Sequence, residues 1–545
     1  RYNTNLFFPP INEEILLHFF TKLKPKKSKD DDDISMFIIN HVKIHLLKPL
    51  VHIINLSFKY GIVPDGMKIS RTIAIHKGGA LTLLDMFRGV SLINNFSKIL
   101  EKISYTRLLD YLDNKNFFYS HQYGFRKKYS TTHCVNMLVN KVAEALASGK
   151  VAMAVLLDVR KAFDLVDRDI LLAKLEHYGV RGKCLDWFKS YFSGRRQRVY
   201  FNGVNSSTLE FIIIGVLQGS IIGVLLFLIM INDLGSCCEN ILALIFADDN
   251  CAYLFADSVN ELIDLANREI PQLIQWYSAN RLIIHPTKTK TILFTTPRER
   301  PNLEEINLRS NFPVFINVNN LGENDPDKIS NLTLISHNGE DSARHLGILL
   351  DPKLSYKFHF DALYKKVNRA VFSIKQMRHL LDQEHLKLLY SAYVKSAIEY
   401  GCALFCGLPA SMLEPIILLQ KKIVRIICGL GYRDSTADYF RELNILPLDK
   451  LIEYNVCKLM FDYRNRKLPS SFTGTWKLNS EMHERTLRNN DDFFIRTLPT
   501  EFLKNLPLYK FPAVWNNLPA ELKIINNRTQ FLNELRTILL NSIRF

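Results

Sequence analysis

Nine cysteines are scattered over the 545 residues, at 134, 184, 237, 238, 251, 402, 406, 428 and 457, and none falls in a CxxC or a Cys/His cluster. That absence excludes a zinc module and a disulfide framework, and it predicts a reducing intracellular compartment. No internal repeat is visible, so a repeat architecture is not expected. No signal peptide is recognisable, and the chain opens on Arg1 instead of a methionine, which predicts a fragment or a processed piece. The run FIIIGVLQGSIIGVLLFLIMI (211–231) is long enough to cross a bilayer, but Gln218, Gly219 and Ser220 cut it in half. No membrane span, and no membrane partner, is expected from it.

An apolar fraction of 47% and a charged fraction of 23% are those of an ordinary globular protein, which sets disorder aside. The length exceeds what one hydrophobic core organises, so two to four subdomains are expected. Lysine and arginine number 70 against 54 acidic residues, a net charge of +16 and a pI near 9.2. That excess suggests a polyanionic partner, nucleic acid or an anionic surface.

Residues 11–24 read as an amphipathic helix, followed by a charged break, KPKKSKDDDD (24–33), expected as a solvated loop. Helical patterns continue over 34–60, and ISRTIAIHKGG (69–79) alternates like a strand after a Pro64-Asp65-Gly66 turn. A helix is expected at 92–113. VAMAVLLD (151–158) is a nearly continuous apolar run, the mark of a strand buried on both faces, and it ends on Asp158. Asp167 then occupies an N-cap position and Gly179 a C′ position around RDILLAKLEHY, with a second helix at 183–192. RRQRVYFNG (195–203) alternates as an exposed basic strand. A hairpin over 241–255, a helix at 259–281 and a strand at 287–296 follow. Residues 297–342 read as a polar loop, and from about 360 the chain is mostly helical. In 384–397, Leu386, Leu389, Tyr390, Tyr393, Val394 and Ala397 share one face.

The stretch ALIFADDNCAYLF (243–255) places Asp248 and Asp249 between two apolar flanks. Neighbouring strand residues point to opposite faces, so two adjacent carboxylates can approach one point only at a bend. ADDN suits a tight turn, and an isolated pair of this kind is most economically a surface turn with two solvated aspartates. The apolar flanks argue instead for a turn against a core, where two carboxylates repel each other unless cations neutralise them. Mg²⁺, which prefers a few carboxylate oxygens plus substrate phosphates, does this well. Asp158 is the natural third carboxylate, and three of them holding two ions match two-metal phosphoryl transfer.

LLDVRKAFDLVDRDILLAKLEHYGV, QGS, FADD, LIIHPTKTKTILF and RHLGILLD, in that order, resemble the palm motifs of a reverse transcriptase of the non-LTR retrotransposon type, jockey-like group. VPDGMKISRTIAIHKGG, FRGVSLINNFSKILEKI and QYGFRKKYSTTH resemble its finger segments. YVKSAIEYG, LLQKKIVRIICG, FRELNIL and WNNLPAEL resemble its post-palm region, so the likeness covers nearly the whole chain.

The resemblance implies an α+β, right-hand polymerase with an antiparallel palm sheet and a mostly helical C-terminal region. It divides the chain into an N-terminal extension and fingers (1–150), a palm (151–360) with inserted finger elements (183–214) and the polar loop, a helical thumb (361–465), and a C-terminal region (466–545). It implies an RNA-directed DNA polymerase that extends a primer 3′-hydroxyl on an RNA template, with a DNA primer or target DNA and deoxynucleoside triphosphates as partners. The cofactor would be Mg²⁺, as two ions, with Mn²⁺ as an alternative. Asp158, Asp248 and Asp249 would be metal-binding catalytic carboxylates, joined by the Val159 backbone carbonyl. Lys288 would protonate the leaving pyrophosphate. Lys77 and Arg88 would grip the triphosphate as point charge and fork. Gln218 and Gly219 would touch nucleotide and template, and Phe163 would be a steric gate against the ribose 2′-hydroxyl. Leu346 and Gly347 would form the primer-grip turn. The basic runs Arg126, Lys127 and Lys128, Arg195, Arg196 and Arg198, and Lys421, Lys422 and Arg425 are expected along the nucleic-acid backbone. An intracellular ribonucleoprotein, in nucleus and cytoplasm, is the expected setting.

The chain departs from the family's pattern at Leu217, Val224 and Gly89, where proline is usual, at His285, usually asparagine, and at Asp33, usually glycine. Losing prolines beside a nucleotide site loosens preorganisation. A catalytically impaired nucleic-acid-binding remnant is therefore the alternative reading. An RNA-dependent RNA polymerase is disfavoured by Phe163 and by Ala247 ahead of the aspartate pair.

Overall fold

The structure, a computed structural model, describes residues 5–201, 203–285, 288–296, 341–482 and 492–544, with backbone alone at 316–317, 329–330 and 333–334. Most of the expected polar loop at 297–342 lies outside the described residues. Asn12 and Ser35 cap the first helices, α1 (Glu13–Lys22) and α2 (Met36–Tyr60), and α2 ends on Gly61 in the left-handed conformation (φ +68°). Glycine bears that φ without a Cβ penalty. One side of α2, with Ile39, Leu50, Ile54 and Phe58, is buried. It is the one helix among the described residues long and apolar enough to cross a membrane, by length and composition.

Between these helices the acidic run is not the expected solvated loop. Asp30 is buried, and its carboxylate accepts from the amides of Asp32, Ile34 and Asn95 and from Asn95 Nδ2. Asp31 stands 3.9 Å from Arg71 Nε and 3.8 Å from Arg198 Nε, Asp32 accepts from Asn94 Nδ2, and Asp33 lies 3.3 Å from Arg71 Nη2. The like charges are tolerated because local amides, and asparagines and arginines brought from far away in the chain, face them.

The chain then forms a hairpin of β1 (Ile69–His76) and β2 (Phe87–Ile93), followed by α3 (Asn95–Asp113) and α4 (Thr131–Ala147). The apolar run becomes β3 (Val151–Asp158), with Val151 through Leu157 all buried. Asp167 caps α5 (Arg168–His177) through the amides of Asp169 and Ile170, and Gly179 (φ +96°) follows its end. Helix α6 (Lys183–Phe192) leads to β4 (Arg196–Phe201), which joins the first sheet in parallel beside β1. Two short strands, β5 (Val204–Asn205) and β6 (Glu210–Phe211), pair with β4. The 211–231 run, from which no span was expected, resolves into the end of β6, a turn and a buried helix of 11 residues, α7 (Ile221–Ile231). A second hairpin, β7 (Leu242–Phe246) and β8 (Asp249–Ala256), then α8 (Val259–Ala279) and β9 (Lys290–Phe294) complete a central sheet. Its order is β9-β3-β8-β7, antiparallel throughout, with the two-residue strand Thr333–Leu334 added in parallel beyond β9.

Strand β3 divides two hydrophobic cores. Val151, Met153, Val155 and Leu157 face the one built from α1, α2, α3, α5, α6, α7 and α8. Ala152, Ala154 and Leu156 face the other, shared with α4 and the C-terminal helices. Each buried Val or Leu contributes about 1.5–3 kcal/mol, so β3 alone commits a large share of the sheet's stability.

The C-terminal half starts with a small hairpin, β10 (Ala343–His345) and β11 (Ile348–Leu350). Helices α9 (Lys357–Met377), α10 (Gln383–Tyr390), α11 (Ala410–Cys428), α12 (Leu448–Arg464), α13 (Pro507–Asn516) and α14 (Arg528–Asn541) follow. Leu386, Tyr390, Val394 and Ala397 are buried as the helical face requires, but Tyr393 is exposed. The chain widens into π-helix at Ser391–Lys395, and the extra residue per turn rotates Tyr393 off the face that a period of 3.6 assigns it.

Candidate active site

Asp158 ends β3, and the register sets it directly opposite Asp249, the first residue of β8. Phe246 pairs with Asp249, so Ala247 and Asp248 make a two-residue turn, with Ala247 at φ +55°. The segment before α4 braces this turn. Tyr123 N donates to the Ile245 carbonyl (2.7 Å), Ile245 N donates to the His121 carbonyl (3.0 Å), and Gln122 Oε1 accepts from Gly124 N (2.9 Å). A Cβ on Gly124 would come within 2.6 Å of Ala247 N, so only glycine lets the brace close. Behind the pair, Asn250 is buried and its Nδ2 donates to Tyr277 Oη at 2.9 Å.

Like charges directly opposite on a strand pair destabilise it, and both members of the aspartate pair feel this. Burial raises the Asp248 carboxyl; its own amide and Arg88 oppose the rise, and Asp158 adds to it. Asp249 is pushed up to about 6, by loss of water first and then by Asp248 and Asp158. Lys288 Nζ lies 3.6 Å from Asp158 Oδ2, and His285 N donates to the Asp158 carbonyl at 2.7 Å. Burial and the nearby Lys288 lower the His285 imidazole, which stands where asparagine was expected. Val159 bridges to Ile284, which leaves the Val159 carbonyl without a described donor. Among the described residues no three His, Cys, Asp or Glu side chains are placed to hold a metal ion by themselves. The donor set is nevertheless right for a hard divalent cation: under-neutralised carboxylate oxygens and a carbonyl on one edge, open where substrate oxygens would complete the shell.

Arg88 on β2 bears electrostatically on Asp248, and Arg88 and Lys77, the residue after β1, both bear on Asp164. Leu217 to Ser220 form a turn closed by Ser220 N on the Leu217 carbonyl, and the Gln218 carbonyl accepts from Ser91 N of β2 at 2.8 Å. Gly219 has φ +115°, and a Cβ there would meet the Ser91 carbonyl at 2.5 Å. Phe163 stacks on Phe227 of α7 (centroids 4.5 Å apart), and its carbonyl accepts from Val216 N. Leu346 and Gly347 form the two-residue turn of the β10–β11 hairpin, both with positive φ, and Tyr400 Oη donates to the Leu346 carbonyl.

The basic runs fare differently. Arg195 is 1% exposed and cannot touch a phosphate. RRQR reads as a solvated run, but the first arginine precedes the strand and turns inward, with its guanidinium carbon 4.3 Å from the centre of the Tyr191 ring. Arg126 stacks on Tyr129 and donates to the carbonyls of Tyr119 and Gln122, and Arg425 donates to the Asp434 carbonyl, so both are held by their own surroundings. Lys421 is 3.9 Å from Glu414. Lys127, Lys128 and Lys422 are exposed, and Arg196 and Arg198 are half-buried on β4. Sequence reasoning missed the Gln122–Gly124 brace, although QYGF was in view. It also missed Arg168, whose guanidinium gathers the carbonyls of Phe192, Ile212, Ile214 and Gly215 and so fixes the approach to the Leu217 turn. A lone arginine at a helix start carries no such signal.

Carboxylates thus stand at the end of an antiparallel sheet, with the basic charge of Arg88 bearing on them. Residues 75–350 match the reverse transcriptase (RNA-dependent DNA polymerase) family, and the chain belongs to it. That family implies a right-hand polymerase fold. The chain is 25% identical over 456 residues to the RNA-directed DNA polymerase from mobile element jockey of Drosophila funebris, covering 82% of this chain and 47% of that protein. It is 25% identical over 466 residues to the probable RNA-directed DNA polymerase from transposon BS of Drosophila melanogaster (81% and 47%). With the probable RNA-directed DNA polymerase from transposon X-element of the same fly it shares 24% identity over 366 residues (66% and 37%). The chain thus spans about half the length of the curated relatives it matches.

Proposed function

We propose that this chain is the polymerase part of a non-LTR retrotransposon protein, adding deoxynucleotides to a primer 3′-hydroxyl on an RNA template. The observation that carries the proposal is the pairing of Asp158 with Asp249 across the central sheet, beside Asp248 and under Arg88. In this reading residues 1–150 supply an N-terminal extension and fingers, 151–360 the palm with inserted finger elements (183–214) and a polar loop (297–342), 361–465 the thumb and 466–545 a C-terminal region. Asp158, Asp248, Asp249 and the Val159 carbonyl would hold two Mg²⁺ ions. When bound, these would lower the pKa of the primer hydroxyl and offset charge on the leaving pyrophosphate. Arg88 and Lys77 bind the triphosphate, Phe163 is the gate against a ribose 2′-hydroxyl, and Gln218 and Gly219 touch the incoming nucleotide and the template. Lys288 Nζ, now beside Asp158, is free to turn and hand its proton to the pyrophosphate oxygen. RNA template and DNA primer or target DNA follow the exposed basic residues Lys127, Lys128 and Lys422.

The absence of proline at Leu217 bears on the alternative of an impaired remnant. The turn it opens is held by the Ser91–Gln218 hydrogen bond, by left-handed Gly219 and by the carbonyls gathered on Arg168, which supports a working site. Extension of oligo(dT) on poly(rA) by the purified chain tests the proposal. Mg²⁺-dependent synthesis above an Asp248→Asn control is expected; duplex binding with no such synthesis favours the remnant. Ribonucleotides in the same assay address the RNA polymerase reading, and Phe163→Val is expected to admit them.

A further inference from the structure

Glu101 on α3 and Arg195 after α6 are each 1% exposed. Glu101 Oε2 accepts from the amides of Ile221 (2.8 Å) and Ile222 (3.4 Å), the first two residues of α7. The third amide, of Gly223, is taken by Ser220 Oγ at 2.8 Å. The first amides of any helix lack partners within it, and here all three are satisfied from inside the protein. Glu101 Oε1 accepts from Tyr191 Oη at 2.9 Å and faces Arg195 Nη2 at 3.7 Å. The Arg195 nitrogens have no hydrogen-bond acceptor. Burial raises the Glu101 carboxyl, against the pull of Arg195, Tyr191 and the two amides. An ion pair this dry and this loose is a poor device for stability, since apolar residues of similar size often serve as well. Its value lies in what it holds in place.

It holds both walls of the cleft. Directly before α7 runs the Gln218–Gly219 turn, whose backbone rests on Ser91 of β2, and β2 carries Arg88. Directly after Arg195 runs β4, paired along β1, which ends beside Lys77. We propose that Glu101 is the positioning residue for the incoming nucleotide, joining the Gln218–Gly219 turn to the basic hairpin through α7 and Arg195. Because its carboxylate already occupies the positive end of α7, that helix end is closed to the triphosphate, whose charge falls to Arg88 and Lys77. The inference rests on the reading of the Gln218–Gly219 turn as a nucleotide contact.

The test uses the full chain on an RNA template with a dideoxy-terminated DNA primer, so that nucleotide binding is read without turnover. The measured quantity is the dTTP concentration that half-saturates the nucleotide-stabilised complex. Glu101→Gln is expected to raise it about tenfold, the scale of a small misplacement, while template–primer binding without nucleotide is unchanged. Tyr191→Phe, which removes one hydrogen bond and keeps the packing, is expected to raise it about threefold, and it decides the matter alone if Glu101→Gln does not fold. Gln218→Ala should weaken dTTP as well, and the double variant with Glu101→Gln should be no weaker than the weaker single, because both act on one turn. Wild-type dTTP affinity in both Glu101→Gln and Tyr191→Phe, even with a lowered melting midpoint, overturns the inference and leaves a purely structural pair. Effects that multiply in the double variant overturn it too. Wild-type affinity in Gln218→Ala instead sinks the nucleotide reading of the turn, and the role of Glu101 with it.

Discussion

Asp30–Asp33 and Asp248–Asp249 are both runs of adjacent aspartates, yet the protein treats their charge in opposite ways. In the first run Asp30, Asp32 and Asp33 accept hydrogen bonds from amides, asparagines or an arginine, and Asp31 faces the guanidinium groups of Arg71 and Arg198. The second run has no described ion pair, sits opposite Asp158, and both its carboxyls are held above their ordinary range. Where the chain neutralises its own anions they serve as anchors. Where it gathers anions and leaves them wanting, the missing charge has to come from outside, which is what the proposed metal-binding role asks of them.

Removing either kind of aspartate should therefore fail differently. Asp249→Asn is expected to cost at least about a thousandfold in primer extension while the melting midpoint holds or rises, since it removes repulsion along with chemistry. A fall in both would erase the contrast. Asp30→Ala should do the reverse: about 3 kcal/mol of stability lost from orphaned buried donors, read by urea unfolding, with the folded fraction extending primers at the normal rate.

A subtler difference lies in pH. Asp249 holds its proton to about 6 when folded, against 3.8 ordinarily, so the folded state binds more protons than the unfolded one in between. Stability of the metal-free protein should fall as pH rises from about 4 to about 6 and level off above. Added Mg²⁺ should raise the melting midpoint at about pH 7.5 and leave it unmoved at about pH 5, where the carboxyl is protonated. Equal shifts at both pH values would show that the ion binds elsewhere. The smallest effect is expected at Asp33, whose φ of +57° suits the glycine usual in the family. Asp33→Gly should gain about 0.5 kcal/mol of relief, partly offset by the lost contact to Arg71, a shift of a degree or so by calorimetry.

What could be read from the chain in advance was whatever is local. The buried strand ending on Asp158, the Asp167 cap and the hairpin at Asp248–Asp249 follow from periods and turn residues within a dozen positions. Residues whose surroundings come from afar were misjudged. Arg195 is buried by Glu101 and Tyr191, and Asp30 by Asn95, partners that no pattern within RRQR or DDDD betrays. That Asp158 faces Asp249, with no slip of one residue, is a matter of register between strands some ninety positions apart, and only the packed sheet sets it. Tyr393 fell to a local irregularity of the helix that leaves no trace in composition.

Strand β3 sends alternate side chains into two separate cores. Neither half of the chain can therefore be completed without the same eight residues, and a cut on either side of them strands one core without its wall. Loss of either core should therefore be felt by the other through this strand, and recombination that trades one half for a relative's has to carry that strand across intact.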